Sequence, residues 1–240
     1  MTPFAYFVTG TDTGVGKTWI TASLAAFWYR QGYDVGVMKP IETGVKGPMW
    51  PDDAKALMQA SHSADAQEFV VPYTFEPPVS PWAATLMTGK RVDWNHLIET
   101  ARAVIARHQV TLIEGAGGIA VPIDADHNMI HIAQELDIPV ILVARTALGT
   151  INHTVLSVEY AKTHRVKILG IIMNAVNEVP EDVSTTLNPS LIESLTGIPV
   201  WSVVPFQPVN DDAPENYLTT LWEQTGQRIA WHPLQGGKMT

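Results

Sequence analysis

Gly10-Thr11-Asp12-Thr13-Gly14-Val15-Gly16-Lys17-Thr18 is the stretch around which the rest of the chain is organised. A short apolar run, Ala5 to Val8, precedes it, and an Ala/Leu/Phe/Trp-rich segment from Trp19 to Tyr29 that reads as a helix follows. Strand, glycine-rich turn, Gly-Lys-Thr and helix together make a phosphate-binding loop in its required context. Glycines let backbone N–H groups turn inward around phosphate oxygens, and the helix start adds the positive end of its dipole. Lys17 supplies a point charge at the β/γ-phosphates, and the Thr18 hydroxyl can hold Mg²⁺. Gly10 lies one residue further from Gly16-Lys17-Thr18 than in the common spacing. The stretch predicts a nucleoside triphosphate site.

Composition bounds what surrounds that site. A length of 240 residues suits one α/β domain spanning 1–240, large enough to bury about 70–75% of its unfolded surface. A net charge of −9 with fifteen scattered Lys and Arg argues against a nucleic-acid surface, because a phosphate backbone needs clustered cations. The absence of cysteine removes disulfides, thiolate metal sites and thiol nucleophiles. No basic stretch leads into an apolar core at the N-terminus, and the apolar run after Lys17 is too short to span a bilayer. The expectation is a soluble, cytoplasmic protein with no membrane contact.

Further along, Val35 to Met38 reads as a second strand, expected beside the phosphate loop's strand, with Lys39-Pro40 at its carboxyl end, where open α/β sheets bind ligands. Ile41 to Pro51 reads as a loop. Asp52 or Asp53 is expected to cap a helix over 54–60, which leaves the other carboxylate free to face a metal. Val70 to Phe75 reads as extended, and Glu76 to Pro81 as too proline-dense for regular structure. Helical spacing predicts Trp94 to His108. Val110 to Ile113 is a buried-type strand closed by Glu114, the position expected of a metal-site carboxylate in such proteins.

The remaining pattern alternates in the same way. Helices are predicted over His127 to Leu136, from Leu148 toward His164, around Leu187 to Leu195 and over Ala213 to Thr225. Strands are predicted over 138–143, 167–173 and 200–204, and the tail from Gln227 reads as loose. His127 and His131 read as surface histidines, since no third metal ligand stands nearby. Strands too apolar for one wet face, alternating with helices, predict a single-domain P-loop NTPase fold of the α/β class. Its sheet should be mostly parallel with helices on both faces.

Taken together, the motifs resemble one family, dethiobiotin synthetase. They are Val8-Thr9-Gly10-Thr11-Asp12-Thr13 into Gly16-Lys17-Thr18, Lys39-Pro40, Pro72-Tyr73-Thr74-Phe75, Ser80-Pro81, Glu114-Gly115-Ala116-Gly117-Gly118, Leu148-Gly149 with Ile151-Asn152-His153, and Asn174. The resemblance implies ATP-dependent carboxylation and ring closure of 7,8-diaminononanoate with CO₂ to dethiobiotin, ADP and phosphate. It implies that Lys17 and Lys39 are catalytic, and that ATP is held by Thr13, Gly14, Val15, Gly16, Lys17, Thr18, Glu114, Gly115, Asn174 and Pro205. Thr18, Asp53 and Glu114 are implied to hold Mg²⁺, and Thr43, Ser80 and Pro81 to line the substrate. Gly149, Thr150, Ile151 and Asn152 are implied to bind the substrate carboxylate across a homodimer interface.

Gly14 stands where some members carry glutamate, and the segments 119–122 and 206–209 depart from the family pattern. A paralogue with shifted substrate is therefore one alternative. Another is a P-loop ATPase switch of the partitioning or septum-placement type, but such loops carry an extra lysine near their start, where this chain has Thr11, Asp12 and Thr13. Cobyrinate-type amidotransferases need a cysteine nucleophile and a nucleoside monophosphate kinase an arginine-rich lid, and neither is present.

Overall fold

Strand β1 (Phe4–Gly10) is covered on both faces, so its side chains feed two cores: Tyr6 and Val8 join one, Phe7 the other. The computed structural model describes residues 4–47, 50–178, 183–208 and 215–229. After β1 come α1 (Lys17–Arg30), β2 (Val35–Met38), β3 (Ile41–Thr43), α2 (Asp52–Ser61), α3 (Gln67–Val70), β4 (Tyr73–Phe75) and α4 (Pro81–Thr88). Then follow α5 (Trp94–Arg107), β5 (Val110–Gly118), α6 (Met129–Leu136), β6 (Val140–Arg145) and α7 (Thr150–Thr163). The last are β7 (Ile168–Asn174), α8 (Val183–Thr196), β8 (Val200–Val204) and α9 (Glu215–Arg228).

Six strands form one sheet in the order β2-β5-β1-β6-β7-β8, every neighbouring pair parallel. The expected α/β fold is thus observed. One face buries Val8, Val37, Leu112, Ile141 and Val143 against α1, α2 and α9. The other buries Phe7, Met38, Ile113, Leu142 and Met173 against α5 to α8. Alternate residues of one strand enter opposite cores, which is why these strands read as continuous apolar runs.

The expected neighbour of β1 was wrong. β2 pairs with β5, and β5 lies between β2 and β1. The chain leaves β1, crosses one face through α1, skips a strand position and fills it later with β5. Chain reversal about β1 opens a crevice at the carboxyl ends of β1 and β5. Gly10, Lys39, Glu114 and Asn174 all stand at that edge.

Local corrections concern short elements. Part of the expected loop after Lys39 is β3, which pairs in parallel with β4. Val70, expected extended, closes the one-turn helix α3. Pro81 begins α4, because proline at a first helical position needs no N–H partner. His127 precedes α6, so it and His131 do not share a helix face. His127 stacks on Trp94 at 4.1 Å and bonds Asp124, while the His131 Nδ1 accepts the Asn128 N–H at 2.9 Å.

Helix α8 begins at Val183, earlier than Leu187, and tolerates Pro189 inside it. Gln227 and Arg228, expected in a loose tail, belong to α9, where Gly226 lets α9 approach the Ser23 carbonyl of α1. Residues 230–240 of that tail lie outside the described residues, as do 179–182 of the expected polar break and Ala213. No helix among the described residues is long and apolar enough to cross a membrane.

Candidate active site

The phosphate loop is fixed from both sides before any ligand arrives. The Thr11 N–H donates to the Val143 carbonyl at 2.9 Å, and the Ile119 N–H to the Gly10 carbonyl at 3.1 Å. Asp12 Oδ1 accepts the Thr13 N–H at 2.7 Å. Gly16, at φ 85°, turns the chain into α1, and a Cβ there would lie 2.2 Å from the Asn174 side-chain nitrogen. No side chain caps α1 and no acidic residue stands in its first turn. Its first amides are left for an anion, which a helix start attracts.

Below that loop four charges meet. Lys39 leaves β2, is 3% exposed, and reaches Glu114 Oε1 at 2.5 Å and Asp53 Oδ2 at 2.6 Å. The Thr18 hydroxyl donates to the same Glu114 oxygen at 2.9 Å. Glu114 is fully buried, and its other oxygen, Oε2, has no hydrogen-bond partner. Lys17 is 7% exposed and donates to the Asp12 carbonyl at 3.2 Å.

These contacts set the protonation states. Burial would lower the Lys39 ammonium, but Glu114 and Asp53 outweigh burial and hold it above the ordinary lysine value. Burial would raise the Asp53 carboxyl, but Lys39 holds it below the usual carboxylate value. Lys17 is lowered to about 8, first by burial and then by repulsion from Lys39. An anion laid against Lys17 would reverse that shift.

Of the expected nucleotide residues, Gly16, Thr18, Asn174 and Pro205 line one cleft of about 540 Å³ together with Phe206 and Trp222. Asn174 ends β7 and donates its amide to the Val15 carbonyl at 3.0 Å. Val15 is buried beneath the loop, and Thr13 and Gly14 are exposed at its crest. Gly115 packs against Phe7, where a Cβ would meet the ring at 2.8 Å.

The expected substrate residues are more dispersed. Thr43 is half-buried on β3, and Ser80-Pro81 start α4, tethered by the Trp82 N–H to the Pro122 carbonyl at 3.2 Å. Gly149 to Asn152 start α7, and their hydrogen bonds stay local, with Thr150 N–H on the Ala147 carbonyl.

Two residues of the site escaped the sequence reading. Neither Asp52 nor Asp53 caps α2: Pro51 is the cap residue, and both aspartates lie inside the first turn. Glu42, from β3, instead accepts the Asp53 and Ala54 N–H groups. Arg145, ending β6, bonds Asp12 at 2.7 Å and approaches His153 of α7 at 3.0 Å. It neutralises the acidic residue of a loop built for anions and links that loop to α7. The signal for Glu42 was its place, three residues after Lys39, and for Arg145 a lone cation closing an apolar strand.

A family described as an AAA domain matches residues 5–213. The ATP-dependent dethiobiotin synthetase BioD of Aquifex aeolicus is 40% identical over 214 residues, 89% of this chain and 94% of that protein. The same enzyme of Bacillus subtilis subsp. natto is 39% identical over 200 residues, 83% of this chain and 86% of that protein. The chain belongs to the ATP-dependent dethiobiotin synthetase family. Membership makes it an ATP-dependent ligase.

Solved structures place the synthetase family chain in a wider fold. The ParA family ATPase of Chlorobium tepidum TLS aligns with TM-score 0.55 at 15% identity, covering 98% of this chain and 100% of that one. The septum site-determining protein MinD of Pyrococcus horikoshii OT3, solved with Mg-ADP, aligns with TM-score 0.57 at 17% identity, covering 98% and 97%. At these identities the likeness concerns the fold alone.

Proposed function

We propose that this synthetase converts 7,8-diaminononanoate, CO₂ and ATP to dethiobiotin, ADP and phosphate. The observation that carries the reading is the meeting of Thr18 and Asp53 with the buried Lys17, Lys39 and Glu114 at an uncapped helix start. One substrate amine takes up CO₂ as a carbamate. A carbamate oxygen attacks the γ-phosphorus, the bond to the β-phosphate oxygen breaks, and ADP leaves. The second amine attacks the resulting anhydride carbon, the C–N bond closes the ureido ring, and phosphate departs with the carbamate oxygen. Both attacks occur within one pocket, where proximity replaces a bimolecular encounter.

Each residue has a part in this reading. Lys17 and the first amides of α1 hold the β- and γ-phosphates. Lys39 faces the transferring phosphoryl group and the carbamate, and Glu114 and Asp53 keep it charged. Thr43, Ser80 and Pro81 flank the diamine, and Asn174 with Pro205 border the base in the cleft behind Gly16. The donor set also fits Mg²⁺: Thr18, Asp53 and Glu114 would hold it, and Glu114 Oε2 is a buried acceptor without a partner. Two carboxylates with phosphate oxygens are the usual Mg²⁺ environment. When bound, the ion neutralises charge on the β- and γ-phosphates.

The homodimer belongs to the same proposal. Leu148 and Leu156 stand exposed around the start of α7, an apolar surface of the sort a subunit contact covers. Gly149 to Asn152 would then offer amides to the substrate carboxylate of the partner. The test is product formation: 7,8-diaminononanoate, bicarbonate and MgATP should give dethiobiotin with one phosphate per ring. Phosphate release that ignores omission of the diamine would overturn the reading and favour an ATPase switch.

A further inference from the structure

Helix α2 carries Asp53 into the charge cluster, yet nothing at its own start can fix it there. Its cap residue is Pro51, which has no side-chain acceptor, and neither Asp52 nor Asp53 supplies a side-chain cap. The orphan amides are taken instead by a residue from a different element. Glu42 Oε1 accepts the Asp53 N–H at 3.0 Å, and Glu42 Oε2 accepts the Ala54 N–H at 3.1 Å. We infer that Glu42 is a positioning residue that holds Asp53 against Lys39 for metal binding.

Three observations converge on this role. Asp53 is held at both ends, its backbone N–H by Glu42 and its carboxylate by Lys39 at 2.6 Å. Glu42 is only 7% exposed, and burying a carboxylate costs far more than a serine or threonine cap, which serves a helix start for about 1 kcal/mol. The segment that carries Glu42 also carries Lys39 and Thr43, and β3 is pinned by parallel pairing of Glu42 with Thr74. The clamp therefore ties the helix of Asp53 to the short segment that bears two other site residues. Its geometry resembles the partners that orient metal ligands, whose loss typically weakens metal binding about 10–100-fold.

The inference rests on Asp53 as a metal-holding residue, so its test includes that residue. Mn²⁺ binding to the full chain saturated with ADP is followed by electron paramagnetic resonance, alongside hydrogen exchange at the Asp53 and Ala54 amides. Glu42→Ala should weaken Mn²⁺ about 10-fold, speed exchange at both amides, and leave metal-free ADP affinity unchanged. Glu42→Gln, which keeps shape and one acceptor, should lose less and covers the case in which Glu42→Ala does not fold. Asp53→Asn should weaken Mn²⁺ at least as much as Glu42→Ala. If Asp53→Asn weakens Mn²⁺ but neither Glu42 variant does, Glu42 is a helix cap alone and the inference falls. If no variant weakens Mn²⁺, the metal role of Asp53 fails and takes the inference with it.

Discussion

Lys39 sits where two carboxylates pull on one ammonium, and the consequences of removing it follow from that arrangement. Lys39→Ala leaves Glu114 and Asp53 with Lys17 as their remaining counter-charge, a loss of up to about 3–5 kcal/mol for breaking a buried ion pair. Urea unfolding should show that loss, and millimolar Mg²⁺ should recover part of it by replacing the missing cation. An unchanged midpoint would mean the cluster is solvated in solution. Lys17 behaves in the opposite sense. Its ammonium is lowered to about 8 chiefly by burial, so burial opposes its charge. Lys17→Ala should keep the melting temperature and lose phosphoryl transfer by about 10²–10³-fold, as for a lost transition-state donor. Near-normal turnover in that variant would remove the phosphate loop from the mechanism. Lys17 was legible because the loop motif has fixed spacing, whereas Glu42 was not, because its partners lie eleven and twelve residues away on a separate helix.

Elements were legible in proportion to their length and periodicity. The strands 35–38 and 200–204 and the helix from Trp94 emerge with boundaries within a residue, since each has a full apolar pattern. Helices α3 and α4 and the β3-β4 pair did not, because three or four residues carry too little period to read and proline density in 77–81 hid a helix start. Helix α6 shows what capping adds. Its box uses the His131 ring as acceptor for the Asn128 N–H, a role only an unprotonated Nδ1 can fill.

His131 is held below its ordinary value of 6.5, first by burial and then by His164 and His127, with Asp124 opposing. A depressed histidine contributes stability that is present above the unfolded value and lost as pH falls through the folded one. Between pH 7.5 and 5 the native protein should therefore lose about 2–4 °C more than His131→Gln, the equivalent of one cap of about 1 kcal/mol. Gln keeps the box without titrating. Parallel pH profiles of melting temperature would show that His131 does not govern this cap.

At the scale of the whole molecule, sheet order was the feature sequence could not supply. Consecutive strands neighbour one another in most folds, which placed β2 beside β1, but here the α1 crossover skips the position that β5 later fills. The placing of Lys39 near Glu114 did not depend on that order, because both stand at the carboxyl edge of the sheet. Quaternary structure is tested by mixing. A variant of the Asn152 region that removes one amide of the α7 start, such as Ile151→Pro, and a Lys17 variant, each inactive, should recover activity on subunit exchange if α7 completes the site of its partner. No recovery under proven exchange would mean each chain holds a whole site.

The central claim is that ATP phosphorylates a carbamate oxygen in this cluster, and oxygen labelling reads that step directly. With ¹⁸O-labelled bicarbonate, 7,8-diaminononanoate and MgATP, in assays short against exchange of bicarbonate with water, one labelled oxygen should appear in each phosphate released. Phosphate free of label, or labelled phosphate formed without ring closure when both amines are present, would contradict the account.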